Sequence, residues 1–202
     1  QKKILNKNLI FLIIFFLIAS CSSVPKYPQN ACKIFGEKYF YLKYTRAASK
    51  KWGAPISSIL AVINKESGFR RFAKPKRTKL FKIIPYRRPS SSLGFSQAVV
   101  KTFDLYKKEN NKPLALRISF RNSSDFIGWY FWKTNKINKV SLNDTRNMYL
   151  NYYLGWQAYK NKAYQTDKKA IIFAKSVEKQ AKIYKSQLQE CKSVLNKSYI
   201  IF

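Results

Sequence analysis

Glu66 closes the run W-G-A-P-I-S-S-I-L-A-V-I-N-K-E-S-G-F and is the only carboxylate between Glu37 and Asp104. With 9 acids against 40 lysines and arginines, few side chains in this chain can shuttle a proton. An acid placed at the end of an apolar helical stripe is therefore the foremost candidate for general acid chemistry. Ile56, Ile59, Leu60 and Ile63 stand at i, i+3, i+4 and i+7, and Glu66 continues that face three residues after Ile63. A carboxyl turned inward loses hydration, which disfavours its charged form and raises its pKa toward neutrality. The same spacing allows a last-turn glutamate facing solvent, with Ser67-Gly68 a simple helix stop. Periodicity does not choose between the two.

The elements that must position Glu66 read as helices. Cys32 to Lys51 is helical and aromatic and ends at Trp52-Gly53, and a second helix starts at Ala54-Pro55, with proline in its first turn. Arg70 to Gly94 carries nine basic residues, three prolines and no acid, and reads as a long irregular loop. Helical spacing resumes over Phe95 to Asn110 with Ala98, Val99, Thr102, Phe103 and Tyr106 on one side. Ser124-Asp125 resembles a helix start, ahead of Ile127, Trp129, Tyr130, Phe131 and Trp132. Most of those aromatics belong in a core, one or two are available as a saccharide platform, and Trp129 and Trp132 are spaced to do one job together.

Asn143-Asp144 opens a further helix reaching Asn161, in which Gly155 implies close approach of a backbone or ligand. Lys168 to Glu190 is the cleanest amphipathic segment, with Ile171, Ala174, Val177, Ala181, Tyr184 and Leu188 inward and Cys191 next in line. Residues 192–202 form a tail with an apolar end.

Residues 1–20 read as an export signal: Lys2, Lys3 and Lys7 precede the apolar run Leu9 to Ile18. Ile18-Ala19-Ser20-Cys21 resembles a bacterial lipobox, which makes Cys21 the lipidation site and residues 21–31 a tether. The expected location is the periplasm, membrane-anchored, with Ser22 leaning toward the outer membrane. Cys32 and Cys191 then remain, and an oxidising compartment favours a disulfide between them over two unpaired thiols. There is no histidine, so no Cys/His metal site is expected, and no cofactor is implied.

The net charge of +31 accompanies heavy use of Lys, Asn, Ile, Phe and Tyr, as an AT-biased genome would produce. An exported chain does not meet nucleic acid. Its charge draws it instead to anionic polymers and lipid headgroups, and peptidoglycan with its free stem-peptide carboxylates is such a polymer.

Glu66-Ser67-Gly68-Phe69, then Gly94-Phe95-Ser96-Gln97, then Asn151-Tyr152-Tyr153-Leu154-Gly155 follow the motif order of the lysozyme-like lytic transglycosylase domain, which the chain resembles over roughly Cys32 to Cys191. The resemblance implies a single, all-α dominated (α+β lysozyme-like) domain over residues 32–191, with a central catalytic helix and a long basic loop. It implies cleavage of the bond between N-acetylmuramic acid and N-acetylglucosamine to give 1,6-anhydro ends, with Glu66 as sole acid and base. One carboxylate suffices where the substrate's acetamido group assists. The resemblance further assigns Tyr152 to positioning Glu66. It places Ser67, Phe95, Gln97, Tyr153 and Tyr159 with the substrate. The implied partners are glycan strands and, through the lipid, a membrane, for a monomer.

The chain departs from the family at Tyr153-Leu154, where a His-Glu pair is expected, and at Ser96, where a bulky apolar residue is usual. Those departures motivate the alternative of a catalytically weak or inactive peptidoglycan-binding lipoprotein. A hydrolytic lysozyme would need a second carboxylate or a positioned water across the cleft, and Asp125 and Asp144, the nearest carboxylates, read instead as helix caps.

Overall fold

The computed structural model describes residues 24–80, 84–86 and 88–192. The expected signal, Cys21 and most of the tail lie outside them. The described residues form helices α1 (Ala31–Glu37), α2 (Tyr39–Trp52), α3 (Ile56–Ser67), α4 (Val100–Glu109), α5 (Phe120–Asn138), α6 (Thr145–Leu154), α7 (Trp156–Lys160) and α8 (Lys168–Glu190), with a 3-10 turn at Ala163–Gln165. The strands are β1 (Lys79–Leu80) and β2 (Ile84–Pro85), an antiparallel pair within the basic loop with Leu80 opposite Ile84. Apart from that strand pair the described elements are all helical, as the sequence implies.

At the centre lies α3, with Ile59, Leu60, Val62 and Ile63 fully buried. It packs against α2, α5 and α8, and α8 also packs along α6, so one long helix braces both. Two side-chain bonds add to the brace: Ser58 and Thr145 share a buried hydroxyl contact of 2.7 Å, and Asn64 donates to Tyr184 Oη at 2.9 Å. An aromatic layer closes the other side. Tyr41 stacks flat on Phe120 at 3.5 Å, and Phe95 meets both rings edge-on.

The long amphipathic helix forms over Lys168–Glu190 as its period predicts, with Asp167 capping Ala170 N–H at 2.9 Å. Other expectations need correction. The first helix divides at Lys38, whose φ of −126° and ψ of 68° leave helical space. Pro55 is the extended cap before α3 and not part of its first turn. Gly94 to Gln97 forms a turn, Ala98 pairs with Leu93, and α4 begins only at Val100. The helix expected at Ser124-Asp125 starts earlier, capped by Ser119. Gly155 ends α6 at φ 88° and starts α7, and nothing stands within 4 Å of where its Cβ would be. Its backbone freedom, and not close approach, is what the position requires.

Cys32 and Cys191 are disulfide-bonded with Cα atoms 6.1 Å apart, which ties α1 to the end of α8 across 159 residues. Closing a loop that long removes about 5 kcal/mol of chain entropy from the unfolded state. Reducing the bond, or replacing both cysteines by serine, is expected to lower the unfolding free energy by about 3 to 5 kcal/mol in urea titration.

Candidate active site

The apolar stripe of α3 carries Glu66 to the helix's last turn. Gly68, at φ 56°, ends the helix and returns its N–H to Asn64 O at 2.9 Å. Phe69 follows at φ 62°, a conformation rare for a bulky residue. Complete burial beside Tyr41 holds it there, and the chain leaves the helix into the basic loop in one fixed direction.

Glu66 is half-buried, and its Oε1 accepts a hydrogen bond from Tyr149 Oη at 2.8 Å. Burial pushes its carboxyl up to about 7, against the opposing influence of the Tyr149 hydroxyl and the Lys65 ammonium. The bond to buried Tyr149 turns the carboxyl inward, unlike the solvent-facing alternative. Near neutral pH this group can both give a proton and take one back. Tyr149 is itself buried, and burial together with the neighbouring Glu66 charge pushes its hydroxyl far above the tyrosine range. It stays a neutral donor whichever state the carboxyl is in.

The hydrogen-bond partner of Glu66 is thus Tyr149 and not Tyr152. Tyr152 Oη donates to Ser96 O at 2.6 Å, fastening α6 to the 94–98 turn. Because Tyr149, Tyr152 and Tyr153 are spaced i, i+3, i+4, one face of α6 presents all three rings. Tyr153 is the outermost at 37% exposure, with its ring 6.2 Å from Tyr149 and edge-on to Phe173 at 5.7 Å. Lys65 Nζ sits 3.6 Å from the Phe173 ring centroid.

A groove of about 240 Å³ lies between the 97–102 segment, α5 and the C-terminal end of α6, with Gln97, Thr102, Tyr130, Tyr152, Tyr153 and Gly155 among its walls. Gln97 adopts φ 49° and uses its amide nitrogen twice, to Ala73 O at 2.8 Å and Gly94 O at 2.9 Å. Its side-chain oxygen has no partner among the described residues.

Three expected substrate contacts are placed differently. Ser67 is buried and its hydroxyl bonds Ile63 O at 3.0 Å, closing the last turn of α3. Phe95 is 2% exposed within the aromatic layer and has no face to offer a sugar. Tyr159 donates to Asn147 Oδ1 at 3.1 Å and stacks on Tyr164, outside the groove lining.

Both other candidate carboxylates are engaged. Asp144 caps α6 through Asn147 N–H at 3.0 Å. Asp125 is not a cap, because α5 begins five residues earlier; it accepts from Trp52 Nε1 at 2.8 Å, Tyr106 Oη and Lys112 Nζ. Burial alone would raise its pKa, yet those three donors hold it below the usual carboxylate range. Among the described residues no group of His, Cys, Asp or Glu is arranged to hold a metal ion. Trp129 is likewise committed, buried with Nε1 on Glu109 at 3.1 Å.

A raised carboxyl pKa is also a statement about stability. The folded protein holds this proton more tightly than the unfolded chain, so ionising Glu66 costs stability as pH rises from about 4.5 to about 7. Glu66→Gln keeps an acceptor for Tyr149 without the charge. It should unfold at higher urea than the native protein at pH 8, by up to about 3 kcal/mol, with the gap closing at pH 4.5.

A family model described as the transglycosylase SLT domain matches residues 9–191, and the chain belongs to that family. No curated protein matches it.

Proposed function

For this lytic transglycosylase domain of the SLT type, we propose that the chain cleaves the N-acetylmuramic acid to N-acetylglucosamine bond of peptidoglycan without net hydrolysis, with Glu66 as its only acid and base. The observation that carries this reading is the Glu66 carboxyl held by the one neutral donor Tyr149, where burial raises its pKa, while Asp125 and Asp144 are bound elsewhere.

Protonated Glu66 gives its proton to the glycosidic oxygen as the bond to the muramyl C1 breaks, and the N-acetylglucosamine leaves as an alcohol. The muramyl acetamido oxygen supports the cationic C1 from within the substrate. The Glu66 carboxylate then takes the proton of the C6 hydroxyl while O6 closes on C1, forming the 1,6-anhydro ring and restoring the acid. No water is consumed. Tyr149 donates to the carboxylate between the two steps and keeps its oxygens oriented.

Tyr153 offers its exposed face to a sugar ring at the mouth of the groove, and Gln97 offers its side-chain oxygen to a sugar hydroxyl. Tyr152 acts by fixing the 94–98 turn against α6. We further propose a periplasmic lipoprotein anchored through Cys21.

Mass spectrometry of muropeptides released from purified peptidoglycan tests the reading. The native protein is expected to release products ending in 1,6-anhydromuramic acid, and Glu66→Gln to release at least about 1,000-fold less. Reducing-end products would mean a hydrolase. No release despite sedimentation with the wall would mean a binding lipoprotein.

A further inference from the structure

The basic loop begins four residues after Glu66, within about 14 Å of chain. There it shapes a pocket of about 500 Å³ between Val24 and the segment Arg70 to Lys76, with Arg70, Arg71, Lys74 and Lys76 among its walls and no acid. All four cations are exposed, and none is in a salt bridge among the described residues. The floor is apolar: Phe72 is 56% exposed with the Arg71 guanidinium 5.3 Å from its ring centroid.

Its backbone is held in place. Arg70 N–H bonds Ser67 O at 3.1 Å, and Ala73 O accepts from both Gly94 N–H at 2.9 Å and Gln97 Nε2 at 2.8 Å. The same glutamine therefore lines the glycan groove and braces the cationic pocket. Four cations with no salt bridge among the described residues, over an apolar floor and fastened to the end of the acid-bearing helix, form a receptor for a short anionic chain projecting from the substrate. Arginine forks pair with carboxylates through two parallel hydrogen bonds, and the volume is that of a small-ligand site.

We propose that this pocket receives the stem-peptide carboxylates of a muramyl residue bound at Glu66, so that the protein prefers peptide-bearing glycan to stripped glycan. The proposal rests on the peptidoglycan reading above. A solvated basic face would attract any polyanion; the pocket instead requires the carboxylates to lie beside the scissile bond.

The test is calorimetric titration of the full chain carrying Glu66→Gln, which separates binding from turnover, with glycan oligomers bearing stem peptides and with the same oligomers stripped by an amidase. Peptide-bearing oligomers are expected to bind at least about tenfold tighter, a margin that one or two well-formed charged pairs supply. Adding Arg70→Gln with Arg71→Gln, or independently Lys74→Gln with Lys76→Gln, should erase most of that preference and leave affinity for stripped glycan unchanged. Lys175→Gln with Lys179→Gln, exposed on α8, removes the same charge at a distance and should leave the preference intact. Equal affinity for the two oligomers, or an equal loss in the α8 variant, overturns the pocket. In either of those cases, if the native protein still cleaves stripped glycan to anhydro ends, the peptidoglycan reading stands and only this proposal fails. Absence of binding to either oligomer overturns the peptidoglycan reading along with it.

Discussion

A carboxyl sunk in the last turn of a buried helix is unstable as an anion, because it has lost water and faces the negative end of the helix dipole. The bond from Tyr149 to Glu66 is what makes the arrangement tolerable in both charge states, and the fold around it keeps two helices in fixed relation. Glu66 rides on α3 and Tyr149 on α6, and their 2.8 Å contact survives only if the two helices do not slide. The buried Ser58–Thr145 contact ties them directly, and α8 braces both along its length. The disulfide fastens the far end of that brace to α1.

The scarcity of acids sharpens this picture. Asp125 collects an indole, a phenol and an ammonium where α2, α4 and α5 meet, and Glu109 joins Trp129 to Lys133. Carboxylates so placed are spent on structure, and the donors around Asp125 hold its carboxyl below the usual range. Glu66 differs in receiving a single neutral hydroxyl, too little to offset burial, so its carboxyl is raised to about 7. In the basic loop that follows it, Arg70, Arg71, Lys74 and Lys76 form no salt bridge among the described residues.

Much of this was legible from periodicity. The stripe Ile56 to Ile63 located Glu66, and the 168–190 pattern gave the whole of α8, because both helices bury one continuous face. What the sequence hid was tertiary. Tyr149, Tyr152 and Tyr153 share a helix face, so spacing alone marks all three; which hydroxyl reaches the acid depends on the height of α6 against α3, set by Ser58 and Thr145. The motif placed Ser67 with the substrate because its back-bond to Ile63 O is invisible in a motif. Asp125 looked like a cap because a short acid beside serine resembles one, while Ser119 had already started the helix. Gly155 was recognised as necessary for the wrong reason: a positive φ, and not a neighbour, demands it.

The central claim is that burial, restrained by one tyrosine, sets the acidity of Glu66. Carbon-13 NMR titration of the side-chain carboxyl carbons, with Glu66 assigned by comparison with Glu66→Gln, measures it directly. The account predicts a midpoint near 7 for Glu66 in the native protein and a higher one in Tyr149→Phe, since the lost hydrogen bond favoured the ionised form. A midpoint near the ordinary 4.5, unmoved by Tyr149→Phe, would contradict it.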